Sequence, residues 1–386
     1  MISDAMREML ATGSAIRKMW TEGRRLKEMH GADQVADMTL GNPAAPPPAE
    51  FTAAFDAVVA DPPADLHRYT PNAGHPEFTA AVAAHLDESH LLPGAGPEHM
   101  IATCGASAAI NITLRAVMAP GEEVLILSPY FPDYPAHVTN HGGVPVLVET
   151  TPDFLPDLAA IEAAITERTR VLILNHPNNP AGRLYPIEVL SEIADLLREK
   201  SAAHGRPIWL LSDEPYREYV FTEDRFVSPA RLYEHGVMAY SWSKSLSLPG
   251  ERIGYAAVNP NCPGAGEFAA AASLANRILG FTNAPSLWQR VVARCPGACV
   301  DLEPFRRRRR MLIDALGAKG YALTEPEGTF YVFPQTPGGD DERFARSAME
   351  NLLLVVPGGP FGRPGYFRLA FCTDDANVEQ AVARLP

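Results

Sequence analysis

The chain has 386 residues and a formal net charge of −13. Its acidity argues against a nucleic-acid-binding protein, because an acidic surface gains nothing from the release of counterions at phosphates. Hydrophobic residues make up 46% of the sequence and charged residues 20%, a composition that excludes an intrinsically disordered chain. The length predicts about two or three domains, or one large domain with a smaller one attached.

The cysteines and the apolar segments exclude further classes. The five cysteines are scattered without a Cys-x-x-Cys pair, and Cys295 and Cys299 have no second cysteine or histidine pair nearby. This spacing predicts reduced thiols and no metal site. The first residues lack the apolar core of a secretory signal, and no stretch approaches the ~18 apolar residues of a membrane span. We therefore expect a soluble cytoplasmic protein that binds neither a membrane nor nucleic acid.

The N-terminal region is predicted to begin with a helix. Residues 1–30 mix charges with apolar positions such as Met9 and Leu26, and residues 38–43 predict a short strand before the proline-rich loop 44–48.

Apolar runs separated by helical patterns follow along the chain. They predict strands at residues 123–127, 144–148, 171–174, 208–211, 237–240 and 253–258. Between several runs the pattern is helical, as at 187–197. Such runs are typical of strands buried on both faces of a largely parallel sheet, and ligands bind beyond the carboxyl ends of those strands.

The pattern changes after about residue 290. Longer helices alternate with separated strands at 328–333 and 366–371, which predicts a smaller α+β domain joined by the N-terminal segment. The arginine run 306–310 lies in a helical pattern, and we interpret it as a solvated or subunit-facing basic side rather than as a nucleic-acid patch.

The most informative segment is 240–255, where a lysine follows an apolar run inside a serine-rich loop. Lys244 lies three residues after Ser241 and eight before Arg252. In a partly dry site the lysine amine is favoured in its neutral, nucleophilic form, which suits Schiff-base chemistry. Ser241 and Arg252 are the group types that hold a phosphate dianion. Taken alone, the segment is also compatible with an exposed loop lysine beside a surface arginine.

Three further motifs follow or lie in other predicted strands. Asp213 and Tyr216 come just after the run 208–211, and a buried aspartate is costly unless it meets a cation such as a protonated pyridine nitrogen. Asn179 follows the run 171–174, in a segment that is also typical of a simple turn. Arg368 lies within an apolar strand, where its bidentate guanidinium needs an anion and suits a carboxylate.

Together these motifs resemble the class I and II aminotransferases, which are fold-type-I enzymes dependent on pyridoxal 5′-phosphate (PLP). The resemblance runs along almost the whole chain, and it is carried by Gly41-Asn42-Pro43, residues 69–74, 104–107 and 129–132, Asn179-Pro180-x-Gly182, Asp213-x-x-Tyr216, Ser241-x-x-Lys244, Gly250-x-Arg252-x-Gly254, residues 327–331 and Arg368. Each motif is weak alone, whereas their joint order and spacing are specific.

The resemblance implies an α/β fold of the fold-type-I PLP transferases. This fold has a large domain, with a mostly parallel seven-stranded sheet between helices, and a smaller α+β domain. The expected boundaries are residues 46–288 for the large PLP-binding domain, and residues 1–45 and 289–386 for the small domain.

The resemblance also implies roles in a PLP site. Lys244 is expected to form the Schiff base and to move the substrate proton, while Asp213 pairs with the pyridinium nitrogen. Tyr216 and Asn179 are expected to hydrogen-bond the ring oxygen O3′, and Phe131 to stack on the ring. The phosphate is expected to bind at a helix N-terminus formed by Gly105, Ala106, Ser107, Ser241 and Arg252.

The substrate and the subunit arrangement follow from the same resemblance. Arg368 is expected to bind the substrate α-carboxylate, with Gly41 and Asn179 beside it. Tyr69 matches a tyrosine that reaches the phosphate of the neighbouring subunit, which implies a homodimer with shared active sites.

Some positions depart from the common pattern of the family. His176 stands where a small residue is common, and Trp242 is bulky so close to the lysine. Ile278 lies about where aspartate aminotransferases place an arginine for the distal carboxylate. We therefore expect that a dicarboxylic amino acid is not the main substrate. Trp242, Phe281 and Tyr130 are candidates for lining an apolar or cation-accepting pocket, with ordinary packing as the alternative.

The expected function is transfer of an amino group between an amino acid and a 2-oxo acid. The same residues serve PLP-dependent elimination, replacement or cyclisation, and residues 243–254 also resemble the aminocyclopropane-carboxylate synthases, which act on S-adenosylmethionine. A non-catalytic regulatory relative is a third class, against which the complete catalytic set argues. The sequence leaves the first two classes open, because reaction choice depends on how the substrate lies over the ring.

Overall fold

A computed structural model describes residues 2–3, 6–7, 10 and 14–386, with the side chains of 14–20 outside that description. Met9, which the sequence places in the N-terminal helix, lies outside the described residues. In the described part the helix runs over Ser14–His30, and no helix is long and apolar enough to cross a membrane.

The described elements alternate as the sequence pattern predicts. The strands are β1 Ala36–Asp37, β2 Met100–Thr103, β3 Glu123–Ser128, β4 Val144–Glu149, β5 Thr169–Asn175, β6 Trp209–Asp213, β7 Gly236–Ser241, β8 Gly254–Val258, β9 Tyr331–Val332, β10 Leu353–Leu354, β11 Val356–Pro357 and β12 Phe367–Ala370. The α-helices are α1 Ser14–His30, α2 Ala49–Ala60, α3 Pro76–Glu88, α4 Ala106–Val117, α5 Tyr134–Asn140, α6 Leu158–Ala164, α7 Ile187–His204, α8 Pro229–Leu232, α9 Trp242–Ser245, α10 Ala265–Ile278, α11 Ser286–Val292, α12 Glu303–Ala318, α13 Asp341–Glu350 and α14 Asp375–Arg384.

The central sheet has seven strands in the order β2-β8-β7-β6-β5-β3-β4. All neighbours pair in parallel except β8, which is antiparallel to both β2 and β7. This confirms the predicted α/β fold with a mostly parallel seven-stranded sheet. Strand β2, which is four residues long, was not among the predicted apolar runs.

The inner strands of the central sheet are buried on both faces, whereas one edge strand is not. Strands β3, β6, β7 and β8 are buried throughout. Strand β4 pairs only with β3, and its Val144 and Leu147 are exposed. The expectation of a uniformly buried sheet is therefore wrong for β4, because an edge strand has one neighbour fewer to cover it.

Helix α7 illustrates how the sequence pattern produces the layer over the sheet. Leu190, Ile193, Ala194 and Leu197 are buried against β3, β5 and β6, at the i, i+3, i+4 and i+7 spacing of one helical face. Full burial of each larger side chain contributes roughly 1.5–3 kcal/mol. The helix ends at Gly205, whose φ of 65° is the left-handed conformation that glycine adopts freely.

A second, smaller unit combines both ends of the chain. Strands β11, β12 and β9 form an antiparallel sheet, and β1 pairs in parallel with β10. Ala36 and Met38 share a hydrophobic core with side chains from α12 and α14. The strand predicted at 38–43 is wrong, because the residues that pair with β10 are 36–37. The strand predicted at 328–333 is shorter than expected and comprises only β9, Tyr331–Val332.

The arginine run lies on α12, as predicted, but most of it is paired. Arg307 and Arg308 form ion pairs with Asp375, and Arg309 forms one with Glu325. These pairs connect α12 to the start of α14 and to the segment before β9, so part of the basic side holds the smaller unit together.

Candidate active site

An open cavity lies beyond the carboxyl ends of β5, β6 and β7, beside the N-terminus of α4. Its lining residues are Ala106, Ser107, Ile110, Phe131, Asn175, Asn179, Asp213, Pro215, Tyr216, Ser241, Ser243, Lys244, Pro249 and Arg252. Most of the residues predicted for the cofactor are therefore brought together here. The position follows the rule that parallel sheets bind ligands at this edge.

Lys244 reaches the cavity from α9, a single helical turn that starts directly after β7. The Ser241 hydroxyl accepts a hydrogen bond from the Ser243 amide and so caps this turn. The Lys244 Nζ donates to the Gly41 carbonyl oxygen at 2.6 Å. Burial, reinforced by the positive charges of Arg368 and Arg252, lowers the pKa of Lys244 to about 8. A larger fraction of this amine is therefore neutral and nucleophilic near physiological pH than in an exposed lysine.

Asp213 ends β6 and presents one carboxylate oxygen without a partner. Its Oδ2 accepts a hydrogen bond from the Tyr134 hydroxyl at 2.5 Å, and Asn175, which is paired with it in register on β5, donates to the same oxygen at 3.4 Å. Its Oδ1 is buried and has no hydrogen-bond partner in the described structure. Burial raises the pKa of Asp213 to about 7. A cationic donor at Oδ1, such as a pyridinium N–H, would satisfy this oxygen and hold the carboxyl ionised.

The start of α4 and Arg252 together have the chemistry to bind an anion. Gly105 precedes the helix with φ of 91°, and a Cβ there would lie 2.7 Å from the Arg252 Nη2. The guanidinium is held by the carbonyl oxygens of Pro249 and Cys104, each at 2.9 Å. The free amides at the helix start and the Arg252 charge suit a phosphate, which would meet the Ser241 hydroxyl on its other side.

Arg368 lies on β12, adjacent to the cavity, and is buried beside two aromatic rings. Its guanidinium carbon lies 4.3 Å from the ring centre of Tyr331 and 4.7 Å from that of Phe361. Its Nη1 donates to Asn179 Oδ1 at 3.0 Å and its Nη2 to the Thr39 carbonyl at 2.7 Å, while Nε has no partner in the described structure. The remaining N–H groups can bind a carboxylate.

The sequence analysis missed three residues of the site. Tyr134 and Asn175 hold Asp213, and the Tyr331 hydroxyl lies 3.1 Å from that of Tyr216. Asn175 could have been identified from the sequence, because it is the polar residue that ends an apolar strand. Tyr331 lies in the cited motif 327–331 and Tyr134 shortly after the motif 129–132, but only the packing shows where an aromatic hydroxyl points.

Several predicted residues lie away from this cavity. Tyr69 is 91% exposed. Trp242 is fully buried in the core, where its indole N–H donates to the Pro296 carbonyl, so of the two alternatives ordinary packing holds for this residue. Tyr130 packs against Gly362, and Phe281 against the apolar core under α4. Ile278 is exposed at the end of α10.

The possible metal ligands and the cysteines are dispersed over the described residues. Within residues 14–386 and the shorter described segments, no three His, Cys, Asp or Glu side chains lie close enough to hold a metal ion. The five cysteines are free thiols, three of them buried.

Comparison with known proteins decides the family. The aminotransferase class I and II family matches residues 35–385. The chain belongs to the class I and II aminotransferases. It is a PLP-dependent enzyme of fold type I, as the resemblance of its motifs implied.

Individual relatives of this aminotransferase agree in sequence and in fold. It is 34% identical over 365 residues to the aspartate/prephenate aminotransferase of Thermus thermophilus, covering 92% of this chain and 90% of that protein. An aminotransferase structure from Eubacterium rectale superposes with a TM-score of 0.94 at 34% identity, covering 100% and 98% of the two chains. The aspartate aminotransferase of Thermotoga maritima gives a TM-score of 0.88 at 26% identity, covering 99% and 98%.

Proposed function

We propose that the cavity beside α4 is the active site of this aminotransferase and that Lys244 holds PLP and moves the substrate proton. The observation that carries the proposal is the pairing of a lysine amine of lowered pKa with the unpartnered Oδ1 of Asp213 in one cavity. Bound PLP supplies an electron-withdrawing ring that stabilises negative charge at the substrate Cα. The neutral Lys244 Nζ takes the proton from this Cα.

The remaining residues of the cavity bind and orient. Asp213 would pair with the pyridinium nitrogen through Oδ1, with Tyr134 and Asn175 fixing its other oxygen. Tyr216 and Asn179 would face the ring oxygen, and Phe131 one face of the ring. The phosphate would bind at Gly105, Ala106, Ser107, Ser241 and Arg252. Arg368 would take the substrate α-carboxylate, next to Gly41 and Asn179.

Chemical labelling tests the assignment of Lys244. Reduction of the PLP-loaded protein with borohydride, followed by peptide mapping, should place the pyridoxyl mass on Lys244. Lys200, which forms ion pairs with Glu162 and Glu199 on the surface, serves as the internal control and should remain unlabelled. A label on any lysine other than Lys244 would contradict the proposal.

The charges around the cavity support a substrate without a distal carboxylate. The cations in the described cavity lining are Lys244 and Arg252, and Arg368 lies next to it. Each already has an assigned partner, so a distal carboxylate would enter a partly dry site without a cation from the same chain. We therefore infer a preference for amino acids with uncharged, aromatic or sulfonium-bearing side chains.

The names of the relatives support a competing substrate class. Thermus thermophilus and Thermotoga maritima relatives are named as acting on aspartate. A distal carboxylate could be bound here if a second copy of the chain contributed a cation, and Arg277 is exposed at the end of α10. Half-reaction rates with aspartate, glutamate, methionine, phenylalanine and S-adenosylmethionine separate the classes. A preference for aspartate that Arg277→Gln abolishes, with Arg346→Gln as the surface control, would overturn our inference.

We propose a cytoplasmic homodimer with shared active sites, built from domains 46–288 and 1–45 with 289–386. The exposed Tyr69 supports this arrangement, because an aromatic side chain that is 91% exposed in one chain gains by burial against a second. Mixing inactive Tyr69→Phe and Lys244→Ala chains should restore some activity, since a mixed dimer carries both changes in one site and leaves the other intact. A fully active monomer would contradict shared sites.

A further inference from the structure

Tyr331, on β9, contacts both halves of the active site. Its hydroxyl oxygen lies 3.1 Å from the hydroxyl of Tyr216, on the side of Lys244 and Asp213. Its ring lies 4.3 Å from the guanidinium of Arg368, on the carboxylate side. The side chain is 2% exposed and does not line the cavity itself. Tyr331 is therefore placed to act through its neighbours.

The hydroxyls of Tyr216 and Tyr331 form a buried hydrogen-bonded pair. Burial raises the pKa of both Tyr216 and Tyr331, so both remain protonated and one donates to the other. The Tyr331 hydroxyl packs so closely on Gly41 that a Cβ there would lie 1.9 Å from it, so the hydroxyl has little room to move away from Tyr216. Either hydroxyl can be the donor of this bond, and when Tyr331 donates, the Tyr216 hydrogen is free to face the cavity that Tyr216 lines.

The ring of Tyr331 fixes the plane of the Arg368 guanidinium. The guanidinium also lies over the ring of Phe361, and its Nη1 and Nη2 bond to Asn179 and Thr39. A cation on an aromatic face is stabilised when it is removed from water, and the N–H groups of Arg368 that are not bonded to Asn179 and Thr39 remain for a carboxylate. Loss of the ring would let the guanidinium tilt.

We propose that Tyr331 is a positioning residue that couples the two halves of the site. Its ring orients Arg368 toward the substrate carboxylate, and its hydroxyl makes Tyr216 a hydrogen-bond donor toward PLP. The proposal rests on the roles proposed above for Arg368 and Tyr216. It predicts that the two effects separate when the hydroxyl and the ring are removed in turn.

Two variants of Tyr331 test this in the PLP-loaded protein. The first readout is the dissociation constant for 2-methylalanine, an unreactive amino acid without a Cα proton, measured by calorimetry. The second is the pH midpoint of the visible absorbance without substrate. Tyr331→Phe should keep the affinity for 2-methylalanine within about twofold and raise the midpoint by roughly half to one pH unit, because a weaker donated hydrogen bond stabilises the ring oxyanion less.

Removal of the ring should also affect the carboxylate. Tyr331→Leu should raise the dissociation constant for 2-methylalanine by roughly 3- to 30-fold, the range of a cation–π contact. Tyr366→Phe, which removes a hydroxyl that bonds to Gln335 in the same small unit, should change neither readout. Tyr331→Phe keeps the shape of the ring, so the hydroxyl test stands even if the leucine variant does not fold.

Different failures overturn different claims. A wild-type pH midpoint in Tyr331→Phe would show that the hydroxyl pair does not act on the cofactor. Wild-type affinity in a folded Tyr331→Leu would show that the ring does not orient Arg368. If Arg368→Lys also binds 2-methylalanine as the wild type does, then the proposed carboxylate site is wrong, and not merely the part assigned to Tyr331.

Discussion

The two halves of the active site are built in different ways. The lysine half, with Asp213, Lys244 and Arg252, comes from the ends of neighbouring strands of one sheet and the start of one helix. The carboxylate half joins distant segments, since Arg368 bonds to Thr39 across 329 positions of the sequence. The first half inherits its geometry from parallel pairing, whereas the second exists only once both chain ends have docked.

The halves also differ in how they hold charge. In the lysine half, burial moves both Asp213 and Lys244 toward their neutral forms, with pKa values of about 7 and about 8. In the carboxylate half, the Arg368 cation is retained by two aromatic faces and by oxygen acceptors. The lysine half thus depends on the cofactor to complete its charges, and the carboxylate half is preassembled by the protein.

The largest expected effect is loss of the proton carrier. Lys244→Ala should lower kcat by roughly 100- to 10,000-fold, because general acid–base catalysis at the substrate Cα disappears. Arg368 lies in the other half of the site, so its contribution to the binding of 2-methylalanine should change little. Lys200→Ala, a surface lysine on α7, is the control in the same steady-state assay. Near-normal turnover in Lys244→Ala would remove the lysine from the mechanism.

Neutralisation of Asp213 should give the next largest effect. Asp213→Asn preserves the side-chain volume but removes the charge opposite the pyridinium nitrogen, so kcat should fall by roughly 100-fold or more. PLP should still bind through the phosphate site, as measured by the absorbance of the purified protein. Asp195→Asn, an exposed aspartate beside Arg198, should behave as the wild type. Unchanged turnover would contradict the pairing.

Disturbance of the carboxylate half should affect binding more than chemistry. In Gly41→Ala the new Cβ would lie 1.9 Å from the Tyr331 hydroxyl, so Tyr331 must shift. We expect KM to rise by roughly tenfold, as for a loss of about 1.4 kcal/mol, with a smaller change in kcat. Gly317→Ala on α12 has open space around its Cβ and is the matched control. A change in kcat alone would show that the halves are not separable in this way.

The smallest expected effect is on the stability of the PLP-free protein. The folded-state pKa of Asp213 is raised to about 7, so the folded protein binds a proton that the unfolded chain has released above about pH 4. Stability should therefore fall as pH rises from about 4 to about 7, by at most a few kcal/mol. Asp213→Asn should flatten this part of the melting-temperature profile, and Asp195→Asn should not. An equally steep profile in Asp213→Asn would show that Asp213 is not buried in this state.

The sequence determined more of the lysine half than of the carboxylate half. The spacing of Ser241, Lys244 and Arg252, and the position of Asp213 after an apolar run, were enough to predict that they meet, because strand ends of a parallel sheet meet at one edge. Arg368 was predicted from its apolar surroundings. Its aromatic neighbours were not, since nothing in the order of the chain brings Phe361 and Tyr331 next to one guanidinium.

Side-chain direction is what the tertiary structure alone decided. Trp242 lies two residues from Lys244 yet points into the core, while Tyr331, which is far away in the sequence, reaches Tyr216. Residue patterns report the period of an element and the chemistry of its ends, and these depend on local backbone geometry. The partner of an aromatic ring or of a buried hydroxyl depends on how separate elements pack. Those partners are set by the close packing of all side chains in the core, which no local sequence pattern contains.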